Sequence, residues 1–162
     1  MAGIPIYETA VQPEWIDYNG HVRDAYYALI VSLACDALMD RVGLDEAYRT
    51  RTGCTLYTLE LHLNYLQEVH VSDTAIVSVR IVGADHKRIH AAFEIGRRGR
   101  PGVAASAEML LLHVRQGGDG VASAAFPPQV SAALAQLQAD SAALPPEAPG
   151  SRRMELRPPA RT

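Results

Sequence analysis

The segment that most constrains this chain is residues 24–42, DAYYALIVSLACDALMDRV. Tyr27, Ile30, Val31, Ala34, Leu38 and Met39 recur at helical spacing, and Tyr26, Leu29, Leu33 and Ala37 add apolar side chains to the opposite face. A helix apolar on nearly all sides has to be covered on nearly all sides. Asp24 is placed to cap its start and Gly43 to close its end. The cover must come from the rest of the chain. In 55–66, Tyr57, Leu59, Leu61, Leu63 and Tyr65 alternate with Thr58, Glu60, His62 and Asn64, the pattern of a strand with one buried face. Residues 4–11, 74–83, 88–96 and 103–115 read as further strands, and the short polar turns ADHK and RRGRPG make the sheet antiparallel. The expected fold class is α+β, a five-stranded antiparallel sheet wrapped around one long central helix.

A chain of 162 residues suits a single core. The expected boundaries are a folded domain at 1–116, a linker and short Ala-rich helix at 117–144, and a disordered Pro/Arg tail at 145–162. Within that helix Val130, Leu134 and Leu137 form one thin apolar stripe. With 15 basic against 18 acidic side chains there is no basic excess, so nucleic acid is not an expected partner. The longest apolar run, 25–31, is far short of the roughly 20 residues of a membrane span, so neither is a membrane. MAGIPIYETA lacks the features of a secretory signal, and Cys35 and Cys54 are too few for a disulfide framework. A cytoplasmic protein with free thiols is expected.

Chemistry concentrates in 15–27, WIDYNGHVRDAYY, ahead of the long helix. Asp17, Asn19 and His21 bring a carboxylate, an amide and an imidazole together within five residues. The N–H groups of the first helical turn, Asp24, Ala25 and Tyr26, could receive the oxyanion of an attacked carbonyl. A carboxylate beside such donors suits acyl hydrolysis, either by attacking the carbonyl or by taking a proton from water. The same letters also read as structure, since Asn-Gly marks a turn and Asp and Asn close Asx-turns. No G-x-S-x-G, H-E-x-x-H or C-x-x-C occurs, so neither a serine hydrolase nor a metal site is expected. Mid-helix Cys35 reads as packing.

This stretch resembles the 4-hydroxybenzoyl-CoA thioesterase-type hotdog family, whose D-x-x-G-x-V loop matches Asp17, Gly20 and Val22, followed by a helical tyrosine at Tyr27. The resemblance implies a catalytic carboxylate at Asp17. The D-x-N-x-H-V variant of plant acyl-ACP thioesterases matches Asp17, Asn19, His21 and Val22 and implies that Asn19 and His21 join the catalytic set. Those enzymes also use a Glu near the end of the strand after the helix, for which Glu68 stands nearest. Arg23 occupies a position where many members carry Asn. Over roughly residues 5–115 the chain is similar to the betainyl-CoA thioesterases of bacterial carnitine breakdown. This implies an acyl-CoA substrate, betainyl-CoA first among them, and no cofactor beyond the CoA of the substrate itself. It also implies a homodimer or dimer of dimers whose sheets join edge to edge, with Glu60 and His62 orienting water or His21.

A quaternary ammonium group binds over aromatic faces, for which Trp15, Tyr18, Tyr26, Tyr27 and Tyr57 are the substrate-binding candidates. Core packing explains Tyr27, Tyr57 and Tyr65 equally well. Lys87 and Arg88 are the candidates for the CoA phosphates, and 97–100, RRGR, could serve similarly. Two other activities fit a hotdog protein. A hydroxyacyl-CoA dehydratase would pair His21 with Glu60, although the G-D-x-N-P-x-x-H pattern is missing. A non-catalytic acyl-CoA-binding module would need no such pair.

Overall fold

A computed structural model describes residues 2–118 and 120–144. The tail expected at 145–162 lies outside the described residues. Six strands run in chain order: β1 (Ile4–Ala10), β2 (Cys54–Tyr65), β3 (Thr74–Ala84), β4 (Arg88–Arg97), β5 (Arg100–Gly117) and β6 (Gly120–Ser123). They form one antiparallel sheet in the order β1-β3-β4-β5-β2, with β6 pairing to β5. Three helices accompany it: α1 (Asp24–Val42), α2 (Glu46–Thr52) and α3 (Pro128–Ala142). The five-strand, one-helix expectation is therefore corrected to six strands and three helices, within the α+β class.

The core forms where one face of α1 meets the sheet. Tyr27, Ile30, Val31, Ala34 and Leu38 pack with Val77 and Val79 of β3, Phe93 and Ile95 of β4, and Ala107, Met109 and Leu111 of β5. The opposite face of α1 is not covered as expected: Leu29 is exposed, and Tyr26, Leu33 and Ala37 are only half-buried. Gly43 ends α1 in the left-handed conformation, its N–H turned back to Asp40 and Met39 carbonyls. The start differs from expectation. Arg23, not Asp24, is the capping residue, because its carbonyl accepts the Tyr26 N–H at 3.0 Å while its own N–H is tied to the Trp15 carbonyl at 2.9 Å.

Two further corrections come from the sheet. A bulge between Thr58 and Glu60 shifts the β2–β5 register, so the apolar residues of β2 do not share one face. Leu61, Leu63 and Tyr65 lie opposite the core-facing Met109, Ala107 and Ala105, whereas Tyr57 lies opposite Leu112 on the other side of the sheet. Within the stretch expected as a linker, Gly120–Ser123 form β6 and pair antiparallel with the end of β5, and α3 belongs to the core. Val130, Leu134 and Leu137 are buried, and Ser141 Oγ accepts the Ile81 N–H at 3.1 Å.

Candidate active site

Between β1 and α1 the chain makes a miniature hairpin. Ile16 and Val22 form an isolated bridge, the Asp17 N–H donates to the His21 carbonyl at 2.9 Å, and the Gly20 N–H donates to the Asp17 carbonyl at 3.1 Å. Gly20 closes this turn at φ +82°, a conformation L side chains rarely adopt. Inside it, Asp17 Oδ1 accepts the N–H of Asn19 at 2.8 Å and that of His21 at 3.4 Å, and the Asn19 amide reaches Oδ2 at 3.4 Å. The Asx-turn and the converging site are thus one object: the bonds that build the loop also aim the carboxylate. Partial desolvation by itself raises the Asp17 carboxyl. The Asn19 and His21 amides, the Asn19 side chain and the His21 charge outweigh it, leaving the group below its ordinary value.

An open cleft of about 340 Å³ adjoins this loop, lined by Asp17, His21, Val22, Asp24, Tyr27 and the 65–68 segment. The far wall is held by buried Arg97, which donates to the Glu68 carbonyl at 2.8 Å and also bonds Gln67. The Val22 N–H donates to the Val69 carbonyl at 2.8 Å and fastens the two walls together. Glu68 Oε2 comes to 3.5 Å from His21 Nε2. The His70 ring meets His21 edge to face, with centroids 4.8 Å apart.

Other expected residues fall elsewhere. Trp15 is buried and stacks on Tyr26, with ring centroids 5.6 Å apart. Tyr18 is 93% exposed and does not line this cleft. Tyr57 is carried to the opposite face by the bulge and its hydroxyl accepts from Gln116 at 2.8 Å. Tyr27 does line the cleft, and so does Tyr65, which meets it edge to face at 5.3 Å. Glu60 and His62 pair with each other at 2.7 Å and do not line the cleft. Arg88 begins β4, with Lys87 just before it, while Arg97 ends it, so both lie roughly 30 Å from the cleft at about 3.3 Å per residue. Lys87 bonds the Ser123 hydroxyl and Arg88 bonds Asp85. Of the three expected oxyanion donors, the Ala25 N–H is taken by the Asp24 carboxylate at 2.9 Å and the Tyr26 N–H by Arg23. The Asp24 N–H is the one left without a protein acceptor among the described residues. The carboxylate of Asp24, with Leu66 and Gln67, completes the lining, and of these only the Asp24 N–H was expected there.

Comparison with known proteins supports the fold and the family. The family model of the Thioesterase-like superfamily matches residues 11–134. A betainyl-CoA thioesterase of Pseudomonas aeruginosa (strain PAO1) is 45% identical over 145 residues, 89% of this chain and 90% of that protein. An L-carnitine dehydrogenase/betainyl-CoA thioesterase of Agrobacterium fabrum (strain C58) is 34% identical over 90% of this chain, which spans only 29% of that longer protein. Among solved structures, a thioesterase candidate from Pseudomonas putida KT2440 superposes with a TM-score of 0.78 at 38% identity, covering 99% of both chains. A Staphylococcus aureus protein solved in complex with CoA superposes with a TM-score of 0.81 at 25% identity, covering 97% of this chain and 98% of that one. With its sheet, its helix and its Asp17 loop in this arrangement, the chain belongs to the thioesterase-like superfamily and is a thioester hydrolase of the hotdog fold.

Proposed function

We propose that this enzyme hydrolyses betainyl-CoA to betaine and free CoA. The observation that carries the substrate is the charge of the cleft. Asp17, Asp24 and Glu68 supply three carboxylates against the single imidazole of His21, beside the rings of Tyr27 and Tyr65. Negative charge and aromatic faces together favour a trimethylammonium group. The name of the 45% identical relative supports the same reading.

Asp17 acts as the base. Its Oδ1 holds two backbone amides, so Oδ2 is the oxygen positioned to take the proton of an attacking water. The water oxygen bonds the thioester carbon, the carbonyl oxygen becomes an oxyanion near the Asp24 N–H, and collapse of the adduct breaks the C–S bond and releases CoA thiolate. Asn19 fixes Asp17, and His21, braced by Glu68, orients the water. Arg98, paired with Glu8, and Arg100, paired with Asp73, stand at the cleft end of β4 and β5 and join Lys87 and Arg88 as candidate cations for the CoA phosphates. The active unit is a dimer joined along β2.

Release of free thiol from betainyl-CoA and from 3,3-dimethylbutanoyl-CoA, its uncharged isostere, tests this directly. A preference of at least roughly tenfold for the cation in kcat/KM is expected, since a desolvated cation–π contact is worth about 2 kcal/mol. Equal rates on the two would discard the betainyl assignment.

A further inference from the structure

Three side chains at the mouth of the cleft form a group that hydrolysis does not exhaust. His21 Nε2 and Glu68 Oε2 are 3.5 Å apart, and with a ring nitrogen of His70 they make a set of ligand atoms all within 4.8 Å of one another. Their backbones are fixed on both sides. Val22, next to His21, is bonded to Val69, between Glu68 and His70, and the His70 N–H donates to the buried Asp73 carboxylate at 2.9 Å. Asp73 is in turn held by Arg100 at 3.1 Å. Two nitrogen or oxygen ligands bound at about 2.0–2.2 Å to a tetrahedral ion stand about 3.3–3.6 Å apart, so the His21–Glu68 gap already has the span of one tetrahedral edge. The remaining ligand needs an approach of about 1 Å, and the Glu68 side chain, 65% exposed, has room to turn. Two imidazoles and one carboxylate suit zinc and its neighbours rather than magnesium or calcium, which take oxygen ligands. The spacing escapes any sequence motif because His21 comes from the loop before α1 and the other two from the turn after β2.

We infer that His21, Glu68 and His70 bind a divalent transition-metal ion of the zinc class, and that the bound ion slows the enzyme by occupying His21 Nε2. The inference goes beyond the hydrolytic reading, and metal binding is measured without reference to any substrate.

The full chain, stripped with a chelator, is titrated with Zn2+ against a chromophoric competitor, and thioester hydrolysis is followed in parallel. One ion per chain is expected, with turnover falling as the site fills and returning on addition of EDTA. His70→Ala should bind zinc at least roughly tenfold more weakly, since even a partner outside the ligand set is worth about 10–100-fold. Inhibition of this variant should need correspondingly higher zinc, in step with its weaker binding. His86→Ala removes an exposed imidazole elsewhere and should change nothing. Glu68→Gln gives a second affinity measurement should His70→Ala fail to fold. Absence of zinc binding, wild-type affinity in both ligand variants, or undiminished turnover of the zinc-filled enzyme would each overturn the inference.

Discussion

Asp17 closes its turn with the same carboxylate that we propose as the base. Its amide donors keep the carboxyl below its ordinary value of 3.8, so the charged form persists as the pH falls and is lost only below that value. The pH profile of kcat/KM should therefore show no inflection from Asp17 between pH 5 and 8. Asn19→Ala removes one donor to the charged form and should move the acid limb upward. Asp17→Asn keeps the acceptor that closes the turn but removes the base. It should cost roughly 10²–10⁴-fold in turnover with an unchanged melting temperature, and near-normal turnover would remove Asp17 from the mechanism. Cys35 offers no substitute nucleophile, because burial pushes its thiol up to about 12. Asp17, Asn19, His21 and Asp24 stand close together in the sequence. Gln67 was not legible, and Tyr65 read only as core packing, since only the Val22–Val69 and Arg97–Glu68 bonds bring the second wall to the first.

At the scale of elements, legibility followed length and periodicity. The bounds of α1 coincide with the apolar run at 24–42, and the four strands after it fall within a few residues of their alternating segments. The short α2 has no apolar period of its own. It is set by the Asp45 carboxylate, which accepts the Tyr48 N–H at 2.7 Å, and by left-handed Gly53. The Gly-rich composition at the start of the expected linker hid β6, whose Gly120–Ser123 are made a strand by pairing with β5. The β2 bulge left no mark on the alternation, which continued through it in sequence while the side chains changed face. α3 tests how far the core extends. Leu134 is 1% exposed, so Leu134→Ala should destabilise the protein by about 2–5 kcal/mol in urea unfolding. A helix merely tethered by a linker would lose almost nothing.

Taken as a whole molecule, one chain leaves a largely apolar strand at the sheet edge. β2 pairs only with β5 among the described residues, and Tyr57, Leu59, Leu61, Tyr65 and Leu66 are all exposed. Such an edge recruits another strand unless charge or a bulge blunts it, and here the bulge brings Leu59 outward rather than a charge. His62 adds a second reason, since its buried Nδ1 has no partner among the described residues. An adjoining copy of β2 would bury these side chains. Because Tyr65, at the end of β2, lines the cleft, it would also bring the partner to the site. Light scattering at micromolar concentration should give a dimeric mass or a multiple of it. Leu59→Lys with Leu61→Lys places two charges on the edge and should raise the dimer dissociation constant by at least roughly a hundredfold, at the cost of about 2–3 kcal/mol expected for desolvating or displacing them. Turnover should fall with the dimeric fraction and recover as protein concentration rises. A monomer that keeps full turnover would mean that the cleft of one chain is complete. A dimer that survives both charges would put the interface on another surface, such as the half-covered face of α1 with exposed Leu29.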